Sequence, residues 1–330
     1  MSIGGHPNVI IEPDAGTAPV SALIASARKS LLIKQFSFTE PRLITDVVER
    51  AKAGVEVRVM LNPQRSSGSR ANDETMRVLN EAGVAAKWSS SRFAVTHEKS
   101  VVIDHSRALV STFNLCEKYF THTRDYGIVI DDAEQVGEIV AAFEADWANE
   151  KWTPNPDCGL LWSNENSRQL MSMFIDTATE RLDVQHPKFV DTVILDRLVH
   201  AAQRGVRVRF LCGGRHGIST YDILDTFASL RVMQKAGIKV NKQKHLRMHA
   251  KLMIADRERA LIGSMNIDRS AFDLRRELGA VLVDHHAVKV LRTVFDFDWT
   301  LSDRYEVPDP LVAFAHEEHD FPHDPELAHE

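Results

Sequence analysis

Apolar and polar positions alternate along the chain in blocks that predict strands and helices in turn. Alternating apolar residues predict strands, and apolar residues three or four positions apart predict helices between them. The elements predicted first are a strand at 9–12, a helix at 19–29, a strand at 31–38, a helix at 41–53 and a strand at 55–61. Proline opens the first helix and Gly54 follows the second, as is usual at helix ends. This order indicates a β-α-β unit of the α/β class.

The pattern continues with further helices and strands, and the whole order then occurs a second time. The first copy continues with a helix at 73–81, strands at 95–103, 108–112 and 126–130, and a helix at 133–147. The second copy has helices at 166–180, 192–203 and 221–235, a helix ending near 299, and strands at 182–185, 206–211, 248–255, 260–264 and 279–283. Loops at 62–70 and 213–219 follow strands, where α/β proteins often place ligand contacts.

A motif of the form His-x-Lys-x4-Asp occurs once in each copy. It runs from His97 to Asp104 and again from His249 to Asp256, with an offset of 152 residues. The same offset relates later polar residues, namely Thr112 and Ser264, Asn114 and Asn266, Asp125 and Glu277, and Asp146 and Asp298. Several matches in one register strongly support a duplication.

The duplication predicts two α/β lobes, each with a mixed sheet flanked by helices, related by pseudo-twofold symmetry. A chain of 330 residues is also longer than a single core usually supports. The predicted boundaries are 1–153 and 154–302 for the lobes, and 303–330 for an acidic, histidine-rich tail that we expect to be flexible. We expect the two motif copies to form one active site at the lobe interface.

The net charge of −6 comes from the tail rather than from the body. Residues 303–330 contain nine acidic residues and one arginine, so the remainder of the chain carries +2. A body this close to neutral makes nucleic acid a less favoured substrate.

The three cysteines, at scattered spacing, predict reduced thiols in a cytoplasmic protein. The first residues show neither the basic nor the apolar region of a secretory signal, and no apolar run is long enough to span a bilayer. A lipid substrate would therefore require peripheral contact with a membrane. No obligate protein partner is predicted, because both motif copies lie in one chain.

The duplicated residues suit cleavage of a phosphodiester by two successive displacements. One histidine can attack phosphorus while the other protonates the leaving oxygen from the opposite side. Asp125 and Glu277 are suited to accept the other ring N–H of each imidazole and so fix its tautomer. Negative charge on the phosphoryl oxygens must be stabilised by hydrogen-bond donors. Lysine and asparagine side chains can supply these donors, so neither a metal nor another cofactor is needed. The candidate donors are Lys99, Lys251, Asn114 and Asn266.

Asp104 and Asp256 lie at predicted turns, where an aspartate usually bonds to nearby main chain. We therefore predict a structural function for both, and we assign Thr112 and Ser264 to the structural part of the motif as well. Several arginines also lie near the motifs, and a solvated surface position is their more common interpretation. They are Arg124, Arg257, Arg269, Arg275 and Arg276.

The two motif copies, with their following asparagines, resemble the paired HKD signatures of the phospholipase D superfamily. The segment from His249 to Glu277 is particularly similar to the second signature of bacterial cardiolipin synthases. The resemblance implies two α/β lobes with one central site, a phosphohistidine intermediate formed without a metal, and hydrolysis or transfer to an alcohol. The N-terminal histidine usually attacks in that family, which implies His97 as the nucleophile and His249 as the general acid and base.

Two features depart from that resemblance: Ser111-Thr112 stands where Gly-Ser is common, and the N-terminal membrane helices common in cardiolipin synthases are missing from this sequence. The leading interpretation is a phosphodiesterase or phosphatidyltransferase that acts on a phospholipid, with water or an alcohol as the acceptor. The alternatives are a metal-independent nuclease of the same superfamily and, less favoured, a non-catalytic binding protein.

Overall fold

The structure, a computed structural model, describes residues 6–64, 68–215, 218 and 222–311. The elements of the N-terminal lobe are β1 (Val9–Glu12), α1 (Ala18–Ser26), β2 (Ser30–Gln35), α2 (Pro41–Lys52), β3 (Glu56–Leu61), α3 (Asp73–Glu81), β4 (Ala85–Trp88), β5 (Val95–Thr96), β6 (Lys99–Ile103), β7 (Arg107–Ser111), α4 (Glu117–Thr121), β8 (Thr123–Ile130) and α5 (Ala133–Ala148).

The second lobe repeats this order with small changes. Its elements are β9 (Leu160–Trp162), α6 (Ser167–Asp176), β10 (Arg181–Gln185), α7 (Thr192–Gln203), β11 (Arg207–Cys212), α8 (Ile223–Lys235), β12 (Lys239–Lys242), β13 (Arg247–Met248), β14 (Leu252–Ala255), β15 (Arg259–Gly263), α9 (Arg269–Asp273), β16 (Arg275–Arg276), β17 (Leu278–Leu282), α10 (His285–Thr300) and β18 (Asp303–Arg304).

Each lobe contains a mixed sheet. The first has the order β1-β8-β7-β6-β2-β3-β4, in which β2, β3 and β4 run parallel and the pairs from β2 to β1 are antiparallel. The second has the order β18-β12-β11-β10-β14-β15-β17-β9, in which β10, β11 and β12 run parallel. The prediction of two α/β lobes with mixed sheets is confirmed.

The central strands are buried because helices and the other lobe cover both of their faces. Every residue of β2 and of β8 is buried, as is typical of strands without a solvent face. The helix α5 begins at Asp132, whose carboxylate accepts hydrogen bonds from the main-chain N–H groups of Glu134 and Gln135. Asp284 caps α10 in the same way through Ala287 N–H, so the two central helices begin alike.

Three hydrophobic clusters hold the molecule together. One lies on the outer face of each sheet, under α1 to α3 in the N-terminal lobe and under α6 to α8 in the C-terminal lobe. The third lies between the lobes and combines residues of both sheets with α5 and α10, including Val110, Phe143, Ile262 and Phe295. This shared core fixes the lobes against each other. No helix in the described ranges has the length and apolar character needed to cross a bilayer.

The motif segments differ from the continuous strands predicted at 95–103 and 248–255. In the N-terminal lobe, β5 and β6 are separate strands, and His97 and Glu98 lie between them. In the C-terminal lobe, β13 and β14 are likewise separated by the segment that contains His249 and Lys251. The break arises because β5 pairs with β16 and β13 pairs with β8, each in the other lobe, while β6 and β14 remain in their own sheets.

The predicted tail begins too early. The strand β18 pairs with β12, and Tyr305 and Val307 are buried in the outer core of the C-terminal lobe, so that lobe extends beyond residue 302. Residues 312–330 of the predicted tail lie outside the described residues, as do 65–67, 216–217 and 219 of the two predicted ligand loops.

Candidate active site

His97 is held between the two lobes. Its main-chain N–H donates to the carbonyl oxygen of Arg276 at 2.9 Å, which continues the pairing of β5 with β16. Its ring Nδ1 lies 2.9 and 3.0 Å from the two carboxylate oxygens of Glu277. The ring of Phe36 packs against the imidazole, with centroids 4.8 Å apart. Main chain, carboxylate and aromatic ring together fix the orientation of His97.

His249 is held in the equivalent arrangement in the other half of the site. Its main-chain N–H lies 3.4 Å from the carbonyl oxygen of Arg124, next to the pairing of β13 with β8. Its Nδ1 lies 2.7 Å from Oδ1 of Asp125, and the Tyr119 ring lies 4.8 Å from the imidazole. Each histidine therefore bonds to a carboxylate from the opposite lobe, and neither half of the site is complete without the other lobe.

The two carboxylates have different surroundings. Asp125 also accepts hydrogen bonds from the hydroxyl groups of Thr112 at 2.5 Å and Thr123 at 2.6 Å. Burial by itself raises the pKa of Asp125, but the interactions with His249 and Lys251 and the hydrogen bond from Thr112 outweigh it, so the pKa is lowered.

The net shift of the Glu277 pKa is in the opposite direction. Burial raises the pKa of Glu277 to about 7, although Lys99 and Arg275 act to lower it. Ser264, the counterpart of Thr112, accepts a hydrogen bond from the main-chain N–H of Leu278, the residue after Glu277, at 3.1 Å. Thr112 and Ser264 thus support the two carboxylate strands, and Asp125 is the carboxylate that is more strongly held as an anion.

The two motif lysines share one hydrogen bond, to the main chain of a motif histidine. Lys99 and Lys251 each donate from Nζ to the carbonyl oxygen of the motif histidine two residues earlier, at 2.7 and 2.8 Å. Lys251 Nζ also lies 2.9 Å from Nε2 of His249. Burial lowers the pKa of Lys251 to about 7.

The ring Nε2 atoms are where the two histidines differ most. A lysine ammonium donates, so Nε2 of His249 is the acceptor in its bond with Lys251. Nε2 of His97 is buried and has no hydrogen-bond partner among the described residues. Burial lowers the pKa of His249 to about 3, and burial together with Lys99 and Arg275 lowers the pKa of His97 well below its usual range. Both imidazoles are therefore neutral near pH 7, and His97 presents an open lone pair.

The two asparagines lie at matching places in the sheets. Ser111 and Gly263 end β7 and β15 beside the lysine positions, and Asn114 and Asn266 follow three residues later. Both asparagines are buried, and Oδ1 of Asn266 has no hydrogen-bond partner within the described part of the chain. Their positions suit donors to a substrate phosphate.

Asp104 and Asp256 lie at the ends of β6 and β14, away from the histidines. The carboxylate of Asp104 accepts from the main-chain N–H groups of Arg28, Lys29 and Ser30 at 2.7 to 3.0 Å. Asp256 accepts in the same way from residues 179 to 181. The bonded main chain leads into β2 or β10, and is not the turn that each aspartate begins.

The surface position expected for Arg124 and Arg276 is wrong. Arg124 of the N-terminal lobe makes two hydrogen bonds to the carboxylate of Asp298 in the C-terminal lobe. Arg276 of the C-terminal lobe makes two to the carboxylate of Asp146 in the N-terminal lobe. Both guanidinium groups are nearly fully buried, at 2% and 3% exposure. Each arginine directly precedes the carboxylate that holds a histidine, so one strand segment supplies both a cross-lobe ion pair and a cross-lobe histidine partner.

Sequence reasoning missed these ion pairs, although their signal was present. The arginines and the aspartates share the offset of 152 residues that marked the motifs. Thr123 was missed as well, although it lies two residues before Asp125 on a strand and so faces the same side.

Within the described ranges, no three His, Cys, Asp or Glu side chains are grouped so that they could hold a metal ion.

Comparison with known proteins gives one family for both lobes. The family model described as "Cardiolipin synthase, PLD-like domain" matches residues 20–147 and 171–299. Cardiolipin synthase 2 of Staphylococcus epidermidis is 24% identical over 300 residues, which cover 80% of this chain and 61% of the relative. A cardiolipin synthase of Staphylococcus aureus is 26% identical over 298 residues, which cover 79% and 59%. The chain thus spans about three fifths of the length of these curated relatives.

Solved structures with the same fold cover nearly the whole chain. Phosphatidylserine synthase of Haemophilus influenzae superposes with a TM-score of 0.67 at 13% identity and covers 97% of this chain and 91% of its own. Polyphosphate kinase of Porphyromonas gingivalis superposes with a TM-score of 0.68 at 14% identity and covers 88% of this chain and 47% of its own. At these identities the likeness establishes the two-lobed fold.

Proposed function

We propose that this chain, which belongs to the cardiolipin synthase family of phospholipase D-like domains, is a phosphatidyltransferase that cleaves a phospholipid phosphodiester through a phosphohistidine. The observation that carries the proposal is the pair of cross-lobe histidine–carboxylate contacts, in which only one histidine has an open Nε2. The relatives named cardiolipin synthase favour a lipid substrate and an alcohol acceptor.

In the first step, the Nε2 lone pair of His97 attacks phosphorus. A P–N bond forms while the P–O bond to the head-group alcohol breaks. The alkoxide leaves toward His249, which transfers a proton from Nε2 to it. Before this step, binding of the negatively charged phosphodiester raises the pKa of His249, so that Nε2 takes up a proton from solvent, and Asp125 stabilises the resulting imidazolium at Nδ1. Lys251, already bonded to Nε2 of His249, then turns its N–H groups to the phosphoryl oxygens.

In the second step, the acceptor hydroxyl enters on the side that the head group left. Nε2 of His249, now without its proton, takes the hydroxyl proton as the acceptor oxygen attacks phosphorus. The P–O bond to the acceptor forms, the P–N bond to His97 breaks, and His97 returns to its neutral state. Lys99, Lys251, Asn114 and Asn266 bind the non-bridging oxygens throughout, where charge develops. Water in place of the alcohol gives hydrolysis.

The test is an assay of purified protein in excess chelator with labelled phospholipid, in the presence of glycerol. A new phosphatidyl product that depends on His97 and His249 is the expected result. Single-stranded DNA is incubated in parallel. Cleavage of DNA with no lipid product would overturn the proposal in favour of a nuclease, and inertness toward both substrates would favour a binding protein.

A further inference from the structure

Gln35 is a buried glutamine whose amide has no hydrogen-bond partner among the described residues. It is the last residue of β2, and it is fully buried. Both Oε1 and Nε2 lack a partner within the described ranges. An unpartnered amide in the interior destabilises the fold, and a catalytic role, a bound ligand or an ordered water is the usual explanation for one. The partner of Gln35 must therefore come from outside the described chain.

Strand pairing places Gln35 beside Lys99. The two residues are direct partners in the antiparallel pair of β2 with β6. The side chains of such partners lie on the same face of the sheet, with Cβ atoms about 5 Å apart. Lys34, one residue earlier, points to the opposite face, where it pairs with a carboxylate of α5 at 2.7 Å. Phe36, one residue later, packs against the ring of His97. The end of β2 therefore reaches the site, with Gln35 on the side of the motif lysine.

Lys99 lies on the middle one of three adjacent strands. In the sheet order β7-β6-β2, Asn114 follows β7 on one side of Lys99, and Gln35 ends β2 on the other. Lys99 and Asn114 are already candidate donors to the non-bridging oxygens. A phosphoryl group bound over Lys99 therefore has an amide side chain on each side of it.

The equivalent position in the C-terminal lobe is occupied differently. His186 lies one residue beyond the partner of Leu252, just as Gln35 lies one residue beyond the partner of Ser100. Nε2 of His186 lies 3.2 Å from the carbonyl oxygen of Met265, so this ring is held by main chain. The unpartnered amide thus belongs to the half-site of the proposed nucleophile.

We propose that Gln35 is a further catalytic residue, whose Nε2 donates a hydrogen bond to a non-bridging oxygen of the phosphoryl group as this group is transferred to His97. A glutamine amide has two N–H donors and carries no charge. Because the free protein offers the amide no other partner, the new hydrogen bond replaces none and is gained where negative charge develops. This inference rests on the proposed function, since it assigns another donor to the same phosphate.

The experiment replaces Gln35 by methionine, which has nearly the same size and no donor. In Gln35→Met, kcat for transfer to glycerol should fall about 10- to 100-fold, with a smaller change in KM, because the bond matters most in the transition state. The melting temperature without substrate should stay the same or rise, because an unpartnered amide is removed from the interior. Gln35→His copies the residue of the other lobe, keeps a ring donor and should lose less activity.

Gln185→Met is the matched control, because Gln185 is an equally buried glutamine at the end of the corresponding strand, β10. Its Oε1 accepts from the Tyr126 hydroxyl and its Nε2 donates to Gln243. This variant should have a lower melting temperature, and its loss in kcat well below that temperature should be smaller than that of Gln35→Met. An unchanged kcat in Gln35→Met would overturn the proposal and assign the amide to an ordered water. Equal losses of kcat and of melting temperature in the two variants would overturn it in favour of a structural role.

Failure of the proposed function would look different, because wild-type protein would then give no lipid product. Calorimetric titration with orthovanadate, an analogue of the phosphoryl group, keeps the role of Gln35 testable in that case. Tighter binding by wild type than by Gln35→Met supports the proposed donor. Equal binding, or no binding by either protein, overturns it.

Discussion

The half-site around His97 and the half-site around His249 share one scaffold but present different Nε2 atoms. Each histidine bonds through Nδ1 to a carboxylate of the other lobe and packs against an aromatic ring. Nε2 of His97 has no partner among the described residues, whereas Nε2 of His249 accepts from Lys251. The open nitrogen suits a nucleophile, and the bonded one suits a group that exchanges protons.

The two carboxylates also differ, in the charge state that their surroundings favour. Asp125 is held as an anion by two threonine hydroxyls and by His249, while burial raises the pKa of Glu277 to about 7. An anion at Nδ1 stabilises an imidazolium, which the general acid must form before the first step, whereas the ring of the nucleophile carries positive charge only while it is bonded to phosphorus. The positions of the histidines are thus the same in the two copies, and their polar neighbours differ.

Removing each histidine is the strongest test of the comparison. His97→Ala should lower kcat by about 10⁵- to 10⁶-fold, because no nucleophile remains. His249→Ala should still form the P–N bond with a substrate whose leaving group needs no proton, such as a p-nitrophenyl ester, and then retain the phosphoryl group on His97. Intact-mass measurement after acid-free quenching detects the adduct. An adduct on His249 in the His97→Ala protein would reverse the assignment.

Replacing each carboxylate by its amide tests whether the anion matters on one side only. Asp125→Asn should lower kcat by about 10⁴-fold, since an amide cannot stabilise the imidazolium of His249. Glu277→Gln should cost about 10- to 100-fold, because Glu277 is close to half protonated near pH 7 and its main task is to orient His97. Steady-state kinetics on both variants measures the ratio. Equal losses would show that both carboxylates serve the same charge state.

Replacing each buried arginine by alanine compares the two half-sites through the free energy of unfolding. Arg124→Ala leaves Asp298 with Gln185 and His245, and should lower the free energy of unfolding by about 3–5 kcal/mol. Arg276→Ala should cost less, because Lys34 still pairs with Asp146 at 2.7 Å. Urea unfolding of both variants gives the two values. A larger loss for Arg276→Ala would mean that Lys34 does not compensate.

The sequence marked candidate site residues but not the connections between them. Repetition at one offset marked both histidines, both lysines, both asparagines and both carboxylates, because duplication preserves register. Nothing in the linear pattern showed that Glu277 serves His97 and Asp125 serves His249, since this depends on β5 and β13 pairing with the opposite lobe. Tertiary pairing of this kind leaves no periodic signal.

The burial of Arg124 and Arg276 was not predicted for a related reason. A charged residue on a strand is usually solvated, and only a partner from another part of the chain makes its burial tolerable. Here the partners, Asp298 and Asp146, come from α10 and α5 of the opposite lobe. The repeated register contained both members of each pair, but their contact required the packing of the two lobes.

The smallest expected effect is the pH dependence of stability that the two carboxylates contribute. The pKa of Glu277 is raised from 4.5 to about 7, so its folded state binds the proton more tightly and ionisation weakens the fold as pH rises through this window. The pKa of Asp125 is lowered below 3.8, so its ionised form stabilises the fold above that value, and the contribution is lost as pH falls through the folded pKa.

Glu277→Gln should therefore gain roughly 1–2 kcal/mol relative to wild type between about pH 5 and pH 8. Asp125→Asn should be less stable than wild type by a similar amount at both values, because Asp125 is ionised at each. Urea unfolding of the three proteins in parallel gives these differences. If both variants shifted in the same direction with pH, the two carboxyl groups would share one environment, and the charge difference between the half-sites would have to come from Lys251 alone.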